Sequence, residues 1–102
     1  MGTYVKAAKA GELSENSAKL FEAEGKSIAL VNAAGSYYAL DNHCTHVGGP
    51  LCEGPIDADA IVCPWHGARF DFKTGQALSG PARANVACYP VRMDGDDIEV
   101  EV

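Results

Sequence analysis

Apolar positions along the chain fall into short runs separated by glycine-containing turns, and almost none recur at the three- and four-residue spacing of a helix. Tyr4–Ala8, Ala18–Glu22, Ser27–Val31 and Tyr37–Leu40 read as strands, the last two joined by the hairpin signal Asn32-Ala33-Ala34-Gly35-Ser36. One helical turn is expected at Glu12–Glu15, after Gly11. Residues 42–55 then break the pattern with three glycines and two prolines, which no regular strand accommodates. Strands resume at Ala60–Cys63 and Arg69–Phe72, followed by the turn Lys73-Thr74-Gly75 and a rigid loop around Ser79-Gly80-Pro81-Ala82. Val86–Val91 and Asp97–Val102 complete the series. In the last, Ile98, Val100 and Val102 alternate with Asp97, Glu99 and Glu101, which makes one face apolar and the other wet. The pattern predicts an all-β class, a small antiparallel β-sandwich or barrel. Two irregular loops, at about 42–55 and 63–69, interrupt it, and loops held by a rigid scaffold are where functional residues concentrate.

A chain of 102 residues is expected to form a single domain, 1–102, with one small core. Its hydrophobic share of 47% and charged share of 22% exclude disorder and collagen-like structure. No apolar run approaches the roughly 18 residues of a membrane span. Met1–Lys6 has no basic head or apolar stretch, so no export signal and a cytoplasmic location are expected. Eight Lys and Arg against 14 Asp and Glu give a net charge of −6. Phosphate backbones and anionic membranes repel such a surface, which argues against nucleic acid and favours partners with a basic docking face. The acidic run Asp94–Glu101 itself reads as a solvated hairpin.

Four cysteines are present: Cys44, Cys52, Cys63 and Cys88. Without a secretory context, clustered cysteines point to metal binding rather than to disulfides. Cys44-Thr45-His46 and Cys63-Pro64-Trp65-His66 form the pattern C-x-H, sixteen residues, C-x-x-H. Ile56–Val62 can fold back through Asp57-Ala58-Asp59 and bring the second loop beside the first. Two cysteines and two histidines suit a tetrahedral zinc ion, and they equally suit a 2Fe–2S cluster with mixed ligands. Zinc fingers usually pair cysteine with cysteine and histidine with histidine, whereas here each loop offers one of each, as two bridged metals require. Gly48, Gly49 and Gly67 would let backbone approach such a centre closely, with Pro50, Pro64 and Pro81 stiffening the surroundings.

Cys44-Thr45-His46 together with Cys63-Pro64-Trp65-His66-Gly67 resembles both boxes of the Rieske iron–sulfur proteins, and Gly80-Pro81 is similar to the family's proline loop, here about 79–83. The resemblance covers nearly the whole chain. It implies the Rieske fold with an inserted two-loop cluster-binding subdomain, and one 2Fe–2S cluster with Cys44 and Cys63 on one iron and His46 and His66 on the other. Respiratory relatives carry an extra cysteine in each box, joined by a disulfide; Gly49 and Trp65 stand there in this chain. They also place Ser and Tyr hydroxyls where this chain has Ala68 and Phe70. These departures, with the missing anchor, resemble the soluble ferredoxins that carry electrons from a flavoprotein reductase to a terminal oxygenase. The resemblance therefore implies a monomeric electron carrier, not an enzyme. A Rieske-like small subunit of a nitrite reductase is the alternative, and a colourless zinc module is a third.

Other residues have plainer readings. His43 is expected to be an exposed loop residue rather than a ligand. Cys52 and Cys88 are expected to be small buried hydrophobes and free thiols. Trp65 suits packing beside the centre or a docking face. Arg69 suits a solvated charge or a contact for an acidic group. Tyr37, Tyr38, Tyr89 and Phe72 suit core or sheet surface. Neither a paired nucleophile and base nor a phosphate loop is evident.

Overall fold

The computed structural model describes residues 3–43, 50–65, 67–79 and 85–102. The strands are β1 (Tyr4–Lys9), β2 (Ser17–Ala23), β3 (Lys26–Ala33), β4 (Ser36–Asp41), β5 (Ile56–Asp57), β6 (Ala60–Val62), β7 (Arg69–Asp71), β8 (Ala77–Ser79), β9 (Cys88–Tyr89), β10 (Val91–Asp94) and β11 (Asp97–Glu101). They form three antiparallel sheets with orders β1-β11-β10, β2-β3-β4-β9 and β5-β6-β7-β8. The all-β expectation therefore holds, as separate sheets rather than a closed barrel. The third sheet lies between β4 and β9 in the chain and is the inserted subdomain.

The sheet containing β3 is central, and its two faces feed two cores rather than the single core expected. On one side Ile28, Leu30 and Ala39 pack with Ala8, Leu13, Ile98 and Val100. On the other, Ala29, Val31 and Leu40 pack with Leu51, Ile61, Cys63, Ala68, Phe70, Phe72 and Val86. Ile28 to Val31 are all fully buried. This is why β3 reads as a continuous apolar run, whereas β11, with one wet side, alternates. The second core carries the inserted sheet and fixes it to the frame.

Several local expectations need correction. The helical turn is a 3-10 turn at Ala10–Glu12, not at Glu12–Glu15. Val86–Val91 is not one strand. Pro90 has no N–H to donate and separates β9 from β10, which turns away to pair with β11. β8 was not expected at all. Cys88 is exposed rather than buried, because β9 forms the edge of its sheet; Cys52 is half-buried. Phe72 is fully buried and packs against Tyr38 with ring centroids 5.2 Å apart. No helix among the described residues is long and apolar enough to cross a membrane.

Candidate metal centre

The second box is built by a tight turn between β6 and β7. The Cys63 N–H donates to the Ala68 carbonyl at 2.7 Å, and the Gly67 N–H donates to the Cys63 carbonyl at 3.0 Å. Gly67 has φ +74, the left-handed conformation that glycine adopts without strain. These bonds bury Cys63 to 1% exposure among Ala68, Phe70 and Leu51, while Pro64 and Trp65 stand outside, Trp65 58% exposed. Cys63 is a free thiol, so its sulfur is available to a metal.

The first box is flanked by an equally closed base. His43 and Pro50 form an isolated antiparallel bridge. The Leu51 N–H donates to the Asn42 carbonyl at 2.7 Å, and the Cys52 N–H donates to Asn42 Oδ1 at 2.7 Å. Leu51 opens the 3-10 turn Leu51–Glu53 and is fully buried; burying a leucine contributes about 1.5–3 kcal/mol.

The two segments meet backbone to backbone. A Cβ on Gly54 would lie 1.7 Å from the Val62 carbonyl oxygen and 3.3 Å from Pro64 Cδ, so the chain leaving the first box touches the chain entering the second. The Val62 N–H donates to the Pro55 carbonyl at 3.0 Å, and β5 and β6 pair through a turn at Ala58 and Asp59. The fold-back expected for Ile56–Val62 is thus present.

Of the four expected ligands, Cys63 is described. Cys44, His46 and His66 lie outside the described residues, as do Gly48, Gly49 and most of the proline loop. His43 is exposed. Arg69 is not free: its guanidinium pairs with the Asp57 carboxylate at 2.8 Å across the inserted sheet. The thiols of Cys52 and Cys88 are both pushed up, first by desolvation: Cys52 is half-buried, and Cys88, exposed as a residue, has its sulfur close to Gly75. The Glu53 carboxylate adds to this at Cys52, and Asp71 and Asp41 add to it at Cys88. Sequence reasoning missed Asn42 and Gly54, whose roles depend on partners eight to ten residues away.

The donor chemistry fits an iron–sulfur cluster. Cysteine sulfur is a soft donor, and here it is free, buried and carried on a turn whose Gly67 has open space where a side chain would be. The profile of the Rieske 2Fe-2S domain matches residues 3–90. The chain belongs to the Rieske 2Fe-2S domain family. The ferredoxin component of the naphthalene 1,2-dioxygenase system of Pseudomonas aeruginosa is 39% identical over 79 residues, which are 78% of this chain and 76% of that one. Among solved structures, the ferredoxin of carbazole 1,9a-dioxygenase from Nocardioides aromaticivorans IC177 superposes with a TM-score of 0.92 at 33% identity, over 96% of both chains. A chain from a complex of reduced oxygenase and oxidized ferredoxin in carbazole 1,9a-dioxygenase gives a TM-score of 0.92 at 25% identity, over 99% of this chain and 94% of that one. A candidate NADH-dependent nitrite reductase small subunit from Mycobacterium tuberculosis gives 0.91 at 21% identity, over 100% and 96%; at that identity it speaks for the Rieske fold alone.

Proposed function

We propose that this Rieske protein is a one-electron carrier that passes electrons from a flavoprotein NAD(P)H reductase to a terminal aromatic-ring oxygenase in the cytoplasm, acting as a monomer. The observation that carries the reading is a buried free Cys63 on a glycine turn in direct backbone contact with the chain leaving the first box, in a chain whose relatives are named as dioxygenase ferredoxins. The nitrite reductase reading rests on fold likeness only.

Cys44 and Cys63 would hold one iron and His46 and His66 the other. When bound, the 2Fe–2S cluster supplies a reversible one-electron couple. The chain's part is to hold that centre rigidly near its surface. Ala68 and Phe70, both fully buried, exclude water from the Cys63 side and offer no hydroxyl. Pro64 and Trp65 present an exposed rim beside it. The net charge of −6 favours a partner with a basic docking face.

Aerobically purified protein should be red-brown, with about two irons and two sulfides per chain. One-electron reduction should give an EPR signal with the low average g value of a histidine-ligated cluster, and an oxygenase of the aromatic-ring type should reoxidise it. Colourless protein with stoichiometric zinc overturns the cluster; electron delivery to a nitrite reductase but not to an oxygenase overturns the partner.

A further inference from the structure

Asn32 and Asn42 are the buried polar residues among those described, 4% and 5% exposed. Asn32 shapes a turn: its Nδ2 donates to the Leu13 carbonyl at 2.8 Å, and its Oδ1 accepts the Gly35 N–H at 3.0 Å. Asn42 does something else. Its N–H donates to the Ser27 carbonyl at 3.0 Å, which ties it to β3. Its carbonyl accepts the Leu51 N–H and its Oδ1 accepts the Cys52 N–H, both at 2.7 Å. One residue thus grips, with main chain and side chain, the point where the chain leaves the central sheet and the point where it returns.

The span between those points is the eight residues 43–50, which include Cys44 and His46. The Cys52 N–H sits in the first turn of a 3-10 helix, where an amide has no partner within its own helix. Asn42 supplies that partner from a buried position, and withdrawing it leaves the amide unpaired.

We infer that Asn42 is the positioning residue of the first metal-binding loop. It fixes the separation and relative orientation of the loop's two ends, at His43 and at Pro50–Cys52, and through those ends it acts on the stability of the cluster. The inference rests on the ligand set proposed above. It asks nothing of Asn42 as a ligand. The side chain acts through the Cys52 amide, on a loop whose exit is already pinned to the second box at Gly54.

The test compares the cluster-loaded wild type with Asn42→Leu, which keeps the volume without the acceptor, and with Asn42→Asp, which keeps an acceptor oxygen. Asn32→Leu serves as a buried-asparagine control. Bleaching of the visible absorbance under excess iron chelator should run roughly tenfold faster in Asn42→Leu, the scale set by an unpaired buried amide. Its EPR g values should shift, and Asn42→Asp should bleach near the wild-type rate. Asn32→Leu should lower the thermal midpoint while leaving the g values in place. Should Asn42→Leu fail to fold, Asn42→Ser keeps the main-chain bonds, is too short to reach the Cys52 amide, and should show the same fast bleaching. Wild-type bleaching and g values in a folded Asn42→Leu or Asn42→Ser overturn the inference alone. A wild type that carries no 2Fe–2S cluster overturns the proposed function, and the inference with it.

Discussion

Ala68→Ser is the most informative single change to the electronic properties of this protein. Ala68 is fully buried in the same core as Cys63, and its carbonyl accepts the Cys63 N–H at 2.7 Å, so a hydroxyl added at its Cβ lies in the turn that carries Cys63 and acts on the potential if it reaches a sulfur. A donor aimed at sulfur favours the more negative, reduced state and therefore raises the potential. A hydrogen bond to a charged group is worth roughly 1.5–3 kcal/mol, and about 1.4 kcal/mol, a tenfold change, corresponds to about 59 mV for a one-electron couple. The donor acts in both oxidation states, so only the part of its energy that grows with the added electron is read. The expected rise is on the order of 50–100 mV, from a wild-type value near −150 mV, the low end of the Rieske range. A hydroxyl that found no partner would instead cost about 1–3 kcal/mol of stability, so voltammetry and urea unfolding together separate the two outcomes. An unchanged or lowered potential in a folded, fully loaded Ala68→Ser protein refutes the reasoning. A wild-type potential above about +100 mV, in the upper part of the family range, contradicts the oxygenase-ferredoxin reading.

Three further outcomes are expected. His46→Ala and His66→Ala should lose the cluster or its EPR signal while His43→Ala keeps both; the reverse pattern would show that the ligand set is wrong. Gly54→Ala should destabilise by on the order of 3 kcal/mol, because its Cβ would meet the Val62 carbonyl, a backbone atom that cannot swing aside; a wild-type urea midpoint would count against the close contact. The Tyr89 phenol is pushed up to about 12 from 10.0 by burial and by the bond it donates to Asp41 Oδ1 at 2.6 Å. Its contribution is therefore complete below pH 10 and is lost as the pH rises towards 12. Tyr89→Phe should cost about 1 kcal/mol at neutral pH, and the gap to wild type in chemical unfolding should narrow across that alkaline window. A constant gap would refute the assignment.

The strands β2 to β4 were legible because their apolar runs are bounded by turn residues, and β11 because it alternates. β8 was not, since Ala77-Leu78-Ser79 is three residues against a glycine–proline loop and has no pattern of its own. Pro90, which lacks an N–H, is the residue in Val86–Val91 that marks the break between β9 and β10. The burial expected of Cys88 failed because strand order, which puts β9 at an edge, is not written in local composition. The candidate site was legible through its boxes, whose spacing is a local property. Of the residues in those boxes Cys63 is described and buried, and the fold-back of Ile56–Val62 is present. Asn42 was invisible for the opposite reason: an asparagine before a loop looks the same whether it faces solvent or grips an amide ten residues on.

The two-sided burial of β3 has a consequence for how the protein acquires its metal. A one-residue slip of that strand would still bury apolar side chains on both faces, so hydrophobicity does not choose its register. The flanking turns do. Glu24 and Gly25 have φ of +52 and +74, and Ala34 and Gly35 of +54 and +88, the paired left-handed conformations of tight hairpin turns. These instructions are local, lying within residues 17–41, and contacts of short sequence separation form early. None of them involves the expected ligands. The framework can therefore assemble before iron arrives, unlike small metal domains in which the ion itself drives folding. A metal-free form that is already folded at its central sheet is what a cluster donor would meet.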